Sequence, residues 1–321
     1  MPRGERTFSH STRATSAPPE IRWIEPACLQ RFAETDTNAH RLASGRGAWI
    51  ERFGSDILIN YPAETLRDRL VQELDSWART HGLAIERVFG RFLPRHNEDR
   101  AAPQLISGDP SLPLVTKVSE EGILYQLGFS AGYSVGLFLD QRANRRHLGS
   151  LAPRRLLNTF AYTCSFSVVA ALAGAETVSI DLSRKSLDRG RENFSLNRVD
   201  DSKHRFLADD VLDVLPRLAR RGETFDAIIL DPPTFSRGNR GRRFQVEHDL
   251  EALLVAALEV AAPEARILLS TNCTRLSPRD LEQLSRYALK LARRTAAFHR
   301  EPDLPDIPAA LAARTLWLTL R

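Results

Sequence analysis

The sequence is poor in cysteine and has no long hydrophobic run. Its 321 residues include three cysteines, Cys28, Cys164 and Cys273, which lie far apart and form no CxxC pair. They therefore provide neither a disulfide framework nor a zinc-ligand spacing. No apolar stretch approaches the ~20 residues that a membrane-spanning helix needs. These absences exclude a disulfide-stapled secreted domain and a membrane protein, and they predict a reducing, cytoplasmic location.

The composition is that of a folded protein with about two domains. Hydrophobic residues make up 42% of the chain and charged residues 26%, which is enough for a sizeable core. The formal net charge is +5, and arginine greatly outnumbers lysine. This charge permits a nucleic-acid partner without requiring one. The arginine excess is typical of phosphate recognition, but it is equally typical of a GC-rich genome.

The residue pattern divides the chain into three parts. Residues 1–44, rich in Ser, Thr, Arg and Pro up to residue 20, predict a flexible tail followed by short helices. Residues 45–135 predict a small α+β domain with two hairpins, a candidate for substrate recognition. In residues 136–321 strands alternate with helices, which predicts an α/β fold with a doubly wound, mostly parallel sheet covered on both faces.

Polar residues follow four predicted strands of the third part, where an open α/β sheet binds its ligand. They are Asn158–Ser165, Asp181, Asp231–Phe235 and Ser270–Cys273. Asp181 lies 18 residues after Thr163, close to the spacing of about 20 expected for a carboxylate that binds the ribose hydroxyls of a nucleoside. An acid after a strand is also typical of a simple helix cap, so both interpretations stay open.

The sequence Asp-Pro-Pro-Thr-Phe at 231–235 follows a buried hydrophobic strand. Two prolines end the hydrogen-bonded ladder and stiffen the backbone. Asp231 is then held at the edge of the sheet, where its carboxylate can accept hydrogen bonds from an amino group. Phe235 is placed to stack on a planar base. The alternative is a rigid turn that binds nothing.

From Gly136 to the C-terminus the chain resembles the class I S-adenosylmethionine (SAM)-dependent methyltransferases of the large-subunit ribosomal RNA methyltransferase I/K/L family. The matching stretches keep a consistent spacing over more than half of the chain; they are GLFLDQR at 136–142, LNTFAYT at 157–163, SIDLS at 179–183, residues 193–197, ADDV at 208–211 and residues 225–235. The resemblance implies a seven-stranded Rossmann-like sheet, SAM as the cofactor, and methylation of a guanine or cytosine base in ribosomal RNA. It implies no metal, and it is compatible with a homodimer. The PUA-type RNA-binding module of some members has no evident counterpart here.

The resemblance also implies roles for individual residues. The residues implied to hold the cofactor are Gln141, Arg142, Asn158, Thr159, Phe160, Tyr162, Thr163, Asp181, Leu182, Asp210 (in preference to Asp209) and Asp231. Among these, the loop at 158–165 would surround the methionine part of SAM. Asp181 would bind the ribose hydroxyls, and Asp210 would contact the adenine amino group. The residues implied to form the methyl-acceptor pocket are Asp231, Pro232, Pro233, Phe235, Asn272 and Cys273.

Two cysteines lie where the family pattern matters most. Many members have two glycines after Tyr-Thr in the first loop, whereas this chain has Cys164 and Ser165, so we expect a loop of different shape. Cys164 is predicted to be a packed thiol. Cys273 is a candidate nucleophile, because methylation of cytosine C5 needs a thiolate that adds to C6. Its Ser-Thr-Asn-Cys setting is closer to the guanine-methylating members, in which Asn272 or Asp231 would orient an acceptor nitrogen.

Residues 236–243 contain four arginines and two glycines. They predict a mobile basic loop that contacts RNA phosphates, with a solvated loop as the alternative. Two other functions stay open at this point. One is a SAM-consuming small-molecule enzyme, either a small-molecule methyltransferase or an azetidine-2-carboxylate-forming SAM cyclase. The other is a non-catalytic RNA-binding protein with a degenerate cofactor pocket.

Overall fold

A computed structural model describes residues 21–94, 96, 99–238, 241 and 243–321. The predicted tail at residues 1–20 lies outside this range. None of the described helices is long and apolar enough to cross a membrane.

The N-terminal part is a six-stranded sheet covered by two helices on one face. Its strands lie side by side in chain order. Their bounds are β1 (Ile21–Trp23), β2 (Ala39–Gly45), β3 (Ala48–Phe53), β4 (Asp56–Tyr61), β5 (Arg87–Phe92) and β6 (Gln104–Ser107), with helices α1 (Pro26–Glu34) and α2 (Glu64–His81). Neighbouring strands are antiparallel except β4 and β5, which α2 connects in parallel. The predicted hairpin around Gly54 is confirmed as β3 and β4.

Residues 21–44 differ from the prediction of short helices alone. They contain α1, but also β1 and most of β2. The small domain therefore begins before residue 45. The strand signal was weak because β2 is buried along nearly its whole length, so it has no alternation of polar and apolar residues. The second predicted hairpin forms a separate two-stranded sheet, β7 (Val115–Glu120) and β8 (Ile123–Gly128).

The C-terminal part is the predicted seven-stranded, mostly parallel sheet. The strand order is β11-β10-β9-β12-β15-β17-β16, and β17 runs antiparallel to both of its neighbours. The strands of this part are β9 (Arg155–Thr159), β10 (Glu176–Asp181), β11 (Arg205–Ala208), β12 (Phe225–Leu230), β13 (Phe235–Arg237), β14 (Arg243–Gln245), β15 (Ala261–Thr271), β16 (Ala296–His299) and β17 (Arg314–Leu320). Of these, β13 and β14 form a separate antiparallel ribbon. The helices are α3 (Arg142–Leu151), α4 (Ser165–Leu172), α5 (Arg184–Leu196), α6 (Val211–Arg220), α7 (Val246–Leu258) and α8 (Pro278–Leu291).

Both faces of the large sheet are covered, as β12 shows. Ile228 and Leu230 point into an apolar cluster on one face, while Ala227 and Ile229 point into a smaller cluster on the other. This follows from the two-residue period of a strand. It explains why β12 reads as a continuous hydrophobic run rather than as an alternating one.

A third apolar cluster joins the N-terminal and C-terminal parts. Phe53 and Phe89 of the small sheet pack there with Phe129, which follows β8, and with Leu187 and Phe194 of α5. The rings of Phe89 and Phe129 stack with their centroids 3.9 Å apart. The two parts therefore share a core, and the junction places elements of the small domain beside the large sheet.

Candidate active site

The polar strand ends predicted from the sequence meet at one edge of the large sheet. Thr159 at the end of β9 pairs with Ile180 of β10 and with Leu230 of β12. Strand order reverses between β9 and β12, so their carboxyl ends form the crevice in which such sheets bind ligands. A cavity of about 280 Å³ opens there. It is lined by Ser134, Phe138, Asp140, Gln141, Arg145, Asn158, Phe160, Ala161, Tyr162, Ser165, Phe166, Asp181, Leu182, Asp231, Pro232, Pro233, Ser236 and Asn272.

Asp181 ends β10 and lies on the cavity wall. Its Oδ1 accepts a hydrogen bond from the backbone N–H of Ser183 at 2.8 Å, and its Oδ2 accepts one from Tyr162 at 2.9 Å. Burial raises the pKa of this carboxyl, and the two backbone N–H groups oppose that rise. The N-cap of α5 is Ser183, which accepts from Ser186. Asp181 is therefore not the helix cap of the alternative interpretation, and its remaining lone pairs are available to a ligand.

The loop after β9 has an unusual backbone. Phe160, Tyr162 and Cys164 have φ angles of 54°, 49° and 60°, the left-handed region that costs an L-residue roughly 1–2 kcal/mol. Cys164 thus adopts the conformation that glycine favours. Its thiol is buried and fills the space beside Gly190, where an added Cβ would lie 2.5 Å from Sγ. Burial raises the pKa of Cys164 to about 12, so a packed thiol agrees with the structure and a nucleophile does not.

Two half-buried carboxyls, Asp231 and Asp140, also line the cavity. Burial raises the pKa of Asp231 to about 6; the charge of Asp140 adds to the rise, and a hydrogen bond from Ser270 opposes it. Burial also raises the pKa of Asp140, whose Oδ2 accepts from the backbone N–H of Ala313 at 3.0 Å. Ser270 in turn accepts from Gln141 Nε2 at 2.9 Å. Asp231 therefore has a raised pKa and contacts Ser270 near the end of β15.

A small pocket of about 20 Å³ continues from the main cavity. Phe160, Leu182 and Ser236 line both, and Asp210 and Phe244 line the small pocket. Asp210 is also the N-cap of α6, where its Oδ1 accepts from Leu212 at 3.0 Å. Between the two predicted adenine contacts, the structure thus places Asp210 on a pocket wall. Asp209 forms an ion pair with Arg217 and lines neither pocket.

Arg142, which is predicted to hold the cofactor, does not line the cavity. It is 1% exposed and donates to both carboxylate oxygens of Asp306, at 3.0 and 3.1 Å. It also donates to the carbonyl of Ala39 in β2. Its guanidinium therefore ties α3 to the small sheet and to the C-terminal segment. Thr159 and Thr163 are buried as well, and their hydroxyls donate to backbone carbonyls rather than facing the cavity.

Phe235 and Cys273, predicted for the acceptor pocket, also lie off the cavity wall. Phe235 is in β13 with 42% of its surface exposed. Cys273 is 3% exposed, and its thiol donates to Glu247 Oε1 at 3.3 Å. Its neighbour Asn272 lines the cavity instead. The predicted basic loop begins and ends in the ribbon of β13 and β14, and its residues 239, 240 and 242 lie outside the described range.

Several residues of the cavity wall are not predicted from the sequence, and two of them, Asp140 and Arg145, are charged. Both belong to the segment that begins with the GLFLDQR motif and continues into α3. Arg145 follows Gln141 by four residues, which puts the two on one helical face, so the spacing was a usable signal. Arg145 donates to both oxygens of Glu120 at 2.7 Å and thereby ties the β7–β8 hairpin to the wall.

Comparison with known proteins places this site in a family. A family model described as S-adenosylmethionine-dependent methyltransferase matches residues 64–319. The chain belongs to this family. The resemblance inferred from the sequence is thereby confirmed, and so are the enzyme class and the cofactor, S-adenosylmethionine.

Curated relatives of this methyltransferase carry ribosomal RNA names. "Putative ribosomal RNA large subunit methyltransferase YwbD" of Bacillus subtilis is 30% identical over 286 residues, covering 86% of this chain and 71% of the relative. "Ribosomal RNA large subunit methyltransferase I" of Yersinia pseudotuberculosis is 33% identical over 259 residues, covering 77% of this chain. The match spans 63% of that Yersinia protein.

Solved structures share the fold of this methyltransferase. The crystal structure of "SMU.776, a putative methyltransferase complexed with SAH" has a TM-score of 0.78 and 25% identity, covering 91% of this chain and 77% of that one. The SAM-dependent methyltransferase from Agrobacterium tumefaciens has a TM-score of 0.69 at 25% identity, covering 88% and 90%. The cavity fits this cofactor, because a carboxylate at the end of β10 lines it and because it shares three lining residues with the pocket of Asp210.

Proposed function

We propose that this methyltransferase transfers a methyl group to a guanine or cytosine base of ribosomal RNA. The observation that carries the proposal is a single cavity that is lined both by Asp181, a carboxylate suited to a ribose, and by Asp231 with the two prolines that follow it. The relatives named for ribosomal RNA support the choice of substrate. A small-molecule acceptor is not favoured, because nothing in those names points to one.

The cofactor end of the cavity has hydrogen-bond acceptors for the ribose and the adenine and a loop that can hold the methionine part. Asp181 would accept hydrogen bonds from the two ribose hydroxyls, since its side chain is held in place by two backbone N–H groups. Asp210 would accept one from the adenine amino group, with Phe160 and Leu182 as apolar walls. The strained loop at 160–164 and Asn158 would hold the methionine part.

We expect Asp181→Ala to weaken binding of S-adenosylhomocysteine by at least about 100-fold. The variant removes two hydrogen bonds to a charged acceptor, each contributing roughly 1.5–3 kcal/mol, and it releases the N–H of Tyr162. Isothermal titration calorimetry measures the effect. Asp188→Ala, on the exposed face of α5, is the matched control and should bind as the wild type does. An Asp181→Ala protein that binds within threefold of wild type would contradict the assignment.

The acceptor end has the groups that base methylation needs. When bound, S-adenosylmethionine supplies an electrophilic methyl group on a positively charged sulfur. Asp231 would accept a hydrogen bond from an N–H of the base and so orient the acceptor nitrogen. The prolines at 232 and 233 keep that carboxylate rigid, and Asn272 offers a further polar contact. Phe138 and Phe235, each 42% exposed, would stack on RNA bases near the mouth.

The position of Cys273 favours direct attack by a base nitrogen over attack by a thiolate. A thiolate route needs the sulfur within reach of C6 of a cytosine. Cys273 is buried, donates to Glu247 and does not line the cavity, whereas Asn272 and Asp231 do. We therefore propose guanine as the preferred base, with the role of this chain being alignment and exclusion of water.

The test is incubation of the purified protein with labelled SAM and unmodified ribosomal RNA, followed by nucleoside mass spectrometry. Label in a methylated guanosine supports the proposal in full, and label in 5-methylcytidine contradicts the assignment of the base. Absence of label from ribosomal RNA contradicts the substrate. Release of methylthioadenosine instead of S-adenosylhomocysteine would show that the enzyme cyclises SAM rather than transferring its methyl group.

A further inference from the structure

Two histidines and a glutamate converge on α3 away from the cavity. His147 belongs to α3, His299 ends β16, and Glu301 follows two residues later. Extended chain places residues two apart on the same side, so His299 and Glu301 face α3 together. None of the three lines the cofactor cavity, and the methyl-transfer reaction proposed above uses none of them.

The distances within this trio suit a metal ion. Glu301 Oε1 lies 3.1 Å from His147 Nδ1 and 2.7 Å from His299 Nε2. All three potential ligand atoms lie within 4.8 Å of one another. Tetrahedral zinc with bonds of about 2.0–2.1 Å places its ligand atoms roughly 3.3 Å apart. Side-chain rotations that change these separations by up to about 1.5 Å would therefore bring the trio into coordinating distance.

The surroundings give the trio a fixed wall and an open side. His147 packs edge-on against the buried ring of Trp317, with centroids 4.8 Å apart. Trp317 is itself anchored, since its Nε1 donates to Asn144 Oδ1 at 2.9 Å. The side chains of His147 and Glu301 are 23% and 16% exposed, while that of His299 is 54% exposed. Water can therefore reach the site from the side of His299 and complete the coordination.

We propose that His147, His299 and Glu301 bind a divalent transition-metal ion, with Zn²⁺ the ion best matched to two imidazole nitrogens and one carboxylate oxygen. The ion would tie the middle of α3 to the segment that leads from β16 toward Asp306. Because α3 carries Arg145, and Gln141 immediately precedes it, this tie would stabilise one wall of the cavity. The ion is structural here and takes no part in methyl transfer.

The test uses tag-free, EDTA-treated, dialysed protein titrated with Zn²⁺ by calorimetry and with Co²⁺ by visible absorption. We expect one equivalent to bind, with the Co²⁺ absorption typical of a low-coordinate nitrogen–oxygen site. Binding to the native state alone should also raise Tm by several degrees at Zn²⁺ concentrations about 100 times Kd. His299→Ala and Glu301→Ala should each weaken binding at least about tenfold, and His248→Ala, an exposed histidine of α7, should leave it unchanged.

Two results would overturn the metal site. One is wild-type protein that binds neither Zn²⁺ nor Co²⁺, which would make the trio a plain hydrogen-bonded cluster. The other is binding that His299→Ala and Glu301→Ala leave unaltered, which would place the ion elsewhere. Neither measurement involves methyl transfer. The metal site can therefore be refuted without refuting the proposed RNA substrate, and the reverse is also true.

Discussion

Asp231→Asn is expected to lower kcat for methyl transfer by about 10²–10³-fold, the loss typical of removing one aligned hydrogen-bonding group from a reaction centre. The amide has nearly the shape of the carboxylate, so the backbone of the Asp-Pro-Pro turn is kept. What changes is charge: the carboxylate accepts strongly from an N–H of the base, whereas the amide accepts weakly and presents a donor on its other side. Single-turnover methylation of ribosomal RNA measures the loss.

The pKa of Asp231 gives this prediction a pH dependence. In the free protein burial raises it to about 6, and only the ionised form can hold the N–H of the base. The kcat/KM of wild type should therefore rise with pH up to about 6 and level off above it. Asp231→Asn should lose that rise.

Measuring the stability of Asp231→Asn distinguishes a catalytic effect of this substitution from a structural one. An acid whose pKa is raised in the folded state, here from 3.8, contributes stability that is fully present below pH 4. That contribution is lost as the pH rises through 6. At pH 7 Asp231→Asn should therefore be at least as stable as wild type.

The control for Asp231 is Asp226→Asn, at the opposite end of the same strand. Asp226 accepts from the backbone N–H of Arg155 at 2.9 Å and lies outside the cavity. Its asparagine variant should methylate at nearly the wild-type rate. Equal losses in the two variants, or an Asp231→Asn protein within fivefold of wild type, would remove Asp231 from the reaction centre.

Asp306→Asn is expected to lower the free energy of unfolding by about 3–5 kcal/mol, because it removes the bidentate partner of a buried guanidinium. The other carboxylate near that guanidinium, Glu120 at 3.5 Å, already pairs with Arg145. The Asp306 side chain is fully buried and faces Arg142, which is 1% exposed. Its Oδ2 also accepts from the backbone N–H of Arg41 at 2.9 Å. One carboxylate thus joins α3, strand β2 and the C-terminal segment. Urea denaturation of wild type and variant measures the loss.

Two further variants test the reason for this loss. Asp303→Asn, on the exposed part of the same segment, should change the free energy of unfolding by less than about 0.5 kcal/mol. The double variant Arg142→Met with Asp306→Leu removes both charges, so it should lose less stability than Asp306→Asn alone. A single variant that loses under 1 kcal/mol, or a double variant that loses more than the single one, would contradict the ion-pair explanation.

Local pattern was sufficient for the elements that bury one face in a regular way. The helix α2 and the β3–β4 hairpin follow from apolar spacing and from a glycine turn. The helix α8 begins at a capping box formed by Ser277 and Asp280, and the three-residue spacing of such a box is visible in the sequence. Strand β2 was missed because its buried residues do not alternate, and a short buried run does not distinguish a strand from a helix.

Residues of the cavity could be predicted from the sequence where they lie at the end of a strand. Parallel strands bring their carboxyl ends to one edge of the sheet. The order of the motifs along the chain was therefore enough to predict that Asp181 and Asp231 lie close together. Whether a side chain enters that cavity depends on its packing partners. Arg142 and Gln141 are adjacent in sequence, yet Arg142 turns to Asp306, 164 residues away, and Gln141 faces the cavity. His147 and His299 meet for the same reason: their contact depends on how α3 packs over the sheet, and no local spacing encodes it.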